Sequence, residues 1–136
     1  MFKSLLSSKP FSTDFILLVL RICVAAFMIY GHGLPKIERF GADEVKFINL
    51  LGMGAKASLG LAIFAELGCS ILLGLGLFTR LASIPLAFTM FIAAFVANAD
   101  KPFQGKELAL MYLLAFALFF FTGPGKYSVD KLIKKQ

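Results

Sequence analysis

Residues 57–78 read ASLGLAIFAELGCSILLGLGLF, and in these twenty-two positions Glu66 is the only charged side chain. A bilayer core of about 30 Å is crossed by roughly 20 helical residues. In lipid, only a helix or a closed barrel satisfies its own backbone polar groups. The run lacks the two-residue alternation of a barrel strand, so it reads as a transmembrane helix with a carboxylate near its middle.

Working outward, three further apolar runs of the same kind occupy about 14–32, 81–98 and 103–122. Across all 136 residues, 59% are hydrophobic and 16% charged, with a mean hydropathy of +0.84, against about 25% charged in an average soluble domain. The expected fold is all-α and integral to the membrane. It is a single domain, 1–136, built as a four-transmembrane-helix bundle with a short interfacial helix between helices 1 and 2. The first run is a poor match to a signal peptide, because Arg21 interrupts it and HGLPK follows where a small-residue cleavage site would stand; the N-terminus is expected to be retained.

The net charge of +6 would suggest nucleic acid in a soluble chain. Here the basic residues lie mainly in short tails and loops beside the spans, so they act as topology signals and no nucleic-acid partner is expected. Four spans place both termini on one side, with Arg80 at the turn between the second and third. The dense KLIKKQ tail assigns that side to the cytoplasm.

The lead-in MFKSLLSSKPFST can lie on the membrane surface, with Thr13 as a helix cap. The connection GADEVKFINLLGMGAK has acidic residues early and apolar ones at Val45, Phe47, Ile48 and Leu51, the pattern of an interfacial helix lying over the outer surface as a lid. TRLAS leaves room only for an antiparallel hairpin, and the glycines and small residues of the second span suit close helix packing.

Ionisable groups inside a bilayer are costly and are functional candidates. Arg21 and His32 are eleven positions apart, which brings them to one helical face, and Asp14 joins them. At mid-membrane Glu66 is the natural partner of Arg21. Depth groups His32, Asn98 and Glu107 beneath the lid, with Glu66 and Arg21 below them, as one polar pocket open to the outside. The plainer alternative is that Arg21 and Glu66 only lock two helices together. No metal is expected, since no helical ligand spacing such as HExxH occurs. Cys23 and Cys69 fall at similar depth and read either as buried small residues or as a dithiol pair.

Three strings carry a family resemblance: Arg21 followed by HGLPK at 32–36, ELGCSILLGLGLFTR at 66–80, and KELALMYLLAFALFFFTGPGKYSVD at 106–130. Together they are similar to the DoxX family of small four-helix membrane proteins, related to the DoxD small subunit of a thiosulfate:quinone oxidoreductase. The resemblance implies a multi-pass protein of the prokaryotic inner membrane, associated with redox systems and with sulfur and thiol balance. Its recurrent positions fall on Arg21, His32, Gly33, Lys36, Glu66, Arg80, Glu107, Gly123, Pro124, Gly125, Tyr127, Ser128 and Asp130. Many relatives carry a histidine where this chain has Asn98, which cannot take up a proton near neutral pH.

GPGKYSVD also has a plain physical reading: glycines and a proline stop the fourth helix, Ser128 caps a following one, and Asp130 can pair with Arg80 to tie tail to hairpin. The expected function is a redox-associated membrane subunit whose pocket takes quinone or a small sulfur or thiol compound. Glu66 and Glu107 would accept protons or hydrogen bonds, Arg21 would neutralise negative charge, and His32 would relay protons. Quinone would be a mobile substrate, since the sequence carries no haem, flavin or iron–sulfur signature. The expected partners are the bilayer and a redox protein or further copies of the chain. The alternatives are a non-catalytic scaffold in envelope or stress-response complexes, and a small-molecule carrier acting as an oligomer.

Overall fold

A computed structural model describes residues 2–42, 47, 49 and 52–134. It is all-helical, with four helices long and apolar enough to cross a membrane: α1 (Thr13–Phe40), α2 (Ala55–Leu75), α3 (Thr79–Ala97) and α4 (Phe103–Thr122). A six-residue helix, α5 (Val129–Lys134), follows, and a four-residue turn, Phe2–Leu5, precedes them. The expected four-helix membrane bundle is what the chain forms. Of the expected interfacial helix at 41–56, residues 43–46, 48, 50 and 51 lie outside the described residues.

The Ser12 hydroxyl, one residue before the expected Thr13, caps α1 by accepting from the Phe15 N–H at 3.4 Å. This helix also runs past its expected end near 32 and continues to Phe40. Pro35 has no N–H to give to the preceding turn, and the chain absorbs that with a π-helical turn over Ile29–Gly33, closed by the Leu34 N–H on the Ile29 carbonyl. Gly41 then ends it.

α2 stops three residues earlier than expected. Gly76 takes the left-handed conformation, and the Leu77 N–H bonds back to the Leu72 carbonyl at 2.9 Å, the Schellman arrangement that satisfies the last carbonyls. α3 starts at Thr79, and Pro85 lies inside it. The Thr89 and Ser83 hydroxyls fold back on the Pro85 and Thr79 carbonyls at 2.8 and 2.7 Å.

α1 and α2 touch closely at two levels: a Cβ on Gly74 would stand 3.3 Å from Ala25 Cβ, and one on Gly33 would stand 3.2 Å from Leu67 Cβ. α3 packs along α4, and both close on Leu17, Met28, Leu73, Leu86, Phe116 and Phe119 at the centre. Toward the end remote from the termini the packing changes. There the first part of α2, Ala55–Ile63, lies on the extension Leu34–Phe40 of α1, while α3 meets α2 lower, at Phe64–Cys69. The α2–α3 hairpin therefore opens toward that far end.

Candidate functional site

At the end carrying the termini, GPGKYSVD is folded into a clasp. Arg21 is 1% exposed, and its guanidinium donates to the Pro124 carbonyl and, at 2.8 Å, to the Tyr127 carbonyl. Asp14 Oδ1 accepts from the Lys126 N–H at 2.8 Å. Asp130 accepts from the Phe78 and Thr79 N–H groups at 2.8 and 3.0 Å, capping α3 from another segment, and its own N–H donates to the Gly76 carbonyl at 2.9 Å. Ser128 caps α5 by accepting from the Lys131 N–H at 3.2 Å. The clasp thus fastens α1, the α2–α3 turn and the end of α4.

Gly76 is required there for two reasons. Its φ of +74° is strained for any residue with a side chain, and a Cβ would stand 2.5 Å from Ser128 Cβ and 3.0 Å from the Arg21 guanidinium. The guanidinium of Arg80 lies against Gly123 at the same end.

Arg21 and Glu66 form no ion pair, because they lie at different depths: Arg21 stands beside Gly76, whereas Glu66 is next to Leu67, which packs on Gly33, twelve positions and so about 18 Å farther along α1. Side chains on a helix lean toward its N-terminus. α1 starts at the termini end and α2 at the far end, so Arg21 leans toward the clasp and Glu66 away from it.

Glu66 is 2% exposed and meets Lys36 instead, with Nζ 2.7 Å from Oε2. That pair lines a cavity of about 470 Å³ between the helices of the far end, within the 300–1,000 Å³ usual for small-molecule sites. His32, Arg39, Ser58, Thr89 and Asn98 supply its other polar lining, and Phe47, Pro85, Met90 and Ala109 are among the apolar residues that complete it. The His32 ring stands edge-on to Tyr112, centroids 5.4 Å apart, and Tyr112 stacks on Phe116 at 6.0 Å. Among the described residues no group of three His, Cys, Asp or Glu side chains is placed to hold a metal.

The structure therefore gathers His32, Glu66 and Asn98 of the expected pocket. It does not bring Arg21, which belongs to the clasp, or Glu107, which is exposed and outside the cavity lining. Cys23 is exposed on the surface and Cys69 is buried; both are free thiols. Lys36 is the residue the pocket expectation missed. It stands four positions after His32, the spacing that puts two side chains on one face, and only the assumption that the helix ended at His32 hid it. Two π-helical segments were also illegible: Phe64–Cys69 contains Glu66, and Ala93–Ala97 ends at Asn98. Such bulges rotate the side chains that follow and recur at functional sites.

A family model, DoxX, matches residues 16–99. The chain belongs to the DoxX family. A relative from Haemophilus influenzae, described as an uncharacterized protein, is 38% identical over 129 residues, which cover 89% of this chain and 93% of the relative. No solved structure matches. Of the positions singled out by the family resemblance, Arg21, Gly123, Pro124, Gly125, Tyr127, Ser128 and Asp130 lie in the clasp and His32, Lys36 and Glu66 line the cavity, while Glu107 belongs to neither.

Proposed function

We propose that this DoxX protein is the membrane subunit of a redox system and that its far-end cavity binds a quinone headgroup. The observation that carries this reading is the Lys36–Glu66 ion pair set into a largely apolar chamber. A quinone is a flat apolar ring with two carbonyl oxygens. The Lys36 ammonium is a donor for one of them, and Asn98 and His32 are further polar groups on the wall. Reduction of a quinone consumes two electrons and two protons. The electrons would come from a protein partner, and Glu66 and His32 are the groups that could hold and pass protons at the ring oxygens.

Mass spectrometry of lipid and quinone co-purifying with wild type and with Glu66→Gln tests the reading. It expects a retained quinone that falls at least tenfold in the variant. Equal retention in a folded variant removes Glu66 from the site, and absence of quinone from both rejects the reading. Under this proposal the far side faces away from the cytoplasm and both termini lie inside the cell, at the inner membrane of a prokaryote. The basic tail supports that orientation.

A further inference from the structure

Four residues that line the cavity are large, apolar and at least half exposed: Leu61 at 51%, Phe64 at 61%, Phe88 at 52% and Leu108 at 59%. All four lie inside membrane-spanning helices, where an exposed side chain meets acyl chains and not water. Phe64 is nine residues from the far end of α2 at Ala55, and Phe88 is nine from the far end of α3 at Ala97. At about 1.5 Å per residue both stand about 13 Å below the far surface, close to the middle of a core of about 30 Å. The polar lining falls at two levels, with Lys36, Glu66 and Thr89 level with Phe64 and Phe88 and the rest nearer the far surface. Nearer the surface, Ser58 is by the start of α2, Asn98 follows the last turn of α3, and Arg39 is on the last turn of α1. The opening of the α2–α3 hairpin, described above, begins at Phe64 and runs toward the far end.

We propose that the cavity is loaded sideways from the bilayer, through a mouth between α2 and α3 framed by Phe64 and Phe88. Its ligand is an amphiphile with a compact ring head and one long apolar chain. The head reaches inward to Lys36 and Glu66, and the chain leaves through the mouth into the midplane. A glycerophospholipid fits less well, because its phosphate is held at the surface while the mouth lies near the centre. This inference deepens the quinone reading and rests on the same cavity.

The test uses the full-length wild-type protein in lipid nanodiscs with a quinone carrying a diazirine at the end of its chain. The expected result is photolabelling of Leu61, Phe64, Phe88 or Ile92 that an unlabelled chain-bearing quinone suppresses at least fivefold. Suppressible labelling confined to Arg39, Ser58 or Asn98 would mean entry from the aqueous face and would overturn the proposal. Labelling at the mouth that a diacyl phosphatidylglycerol suppresses and the quinone does not would overturn the assigned occupant. A parallel titration with a quinone lacking any chain separates the two readings: binding of that head lost in Glu66→Gln, with chain labels away from the mouth, leaves the quinone site standing and removes side entry. No suppressible labelling and no head binding removes both.

Discussion

The two ends of the bundle solve the problem of a buried charge differently. At the termini end, the Arg21 guanidinium donates to two backbone carbonyls of the GPGKYSVD turn. At the far end, Glu66 is held by one lysine at the edge of open space. The first arrangement fills its volume with protein and fixes three segments in place. The second leaves a chamber and a charge pair that a ligand can engage. Open space beside the charge is what separates the two ends.

Variants can break this contrast. The largest loss of stability is expected for Arg21→Met, which leaves the Pro124 and Tyr127 carbonyls without a charged donor. At about 1.5–3 kcal/mol for each such bond, unfolding in mild detergent should be eased by about 3 kcal/mol or more, with ligand affinity in the folded fraction unchanged. Lys36→Met leaves Glu66 buried without a partner and is expected to cost about 3 kcal/mol. The double variant Lys36→Met with Glu66→Leu should recover most of that loss while ligand binding stays absent; no recovery would show that the pair is not the main contact. Gly76→Ala forces a side chain into left-handed backbone against Ser128 and is expected to cost about 2 kcal/mol, read as a lowered thermal midpoint. Asp130→Asn weakens a cap on α3 and should cost about 1 kcal/mol. At the small end, Glu107→Gln changes an exposed side chain outside the cavity and should shift stability by less than about 0.5 kcal/mol; a loss of ligand binding there would return Glu107 to the site.

The fold was legible because four apolar runs of bilayer length leave few alternatives. The far-end helix boundaries were less so. A Gly-Leu-Pro sequence after His32 reads as a stop, but a π-helical turn absorbs the proline and carries α1 on to Phe40. The pairing of Arg21 with Glu66 failed because the register of α1 on α2, Ala25 on Gly74 and Gly33 on Leu67, sets the two about twelve positions apart in depth, and the opposite lean of side chains on antiparallel helices widens the gap. Ending α1 at His32 concealed Lys36, whose stem spans the gap to Glu66. The role of GPGKYSVD as a helix stop and cap was readable from residue types, and Ser128 does cap α5. What was not readable is that its carbonyls are the receptors for Arg21, a contact between residues more than a hundred positions apart.

The most direct test is an equilibrium titration of a chain-free benzoquinone into nanodisc-embedded wild type, Glu66→Gln and Asp130→Asn. The division between a structural clasp and a ligand-binding chamber predicts at least tenfold weaker binding for Glu66→Gln and wild-type affinity for Asp130→Asn. Equal affinity in all three, or a loss confined to Asp130→Asn, would contradict it.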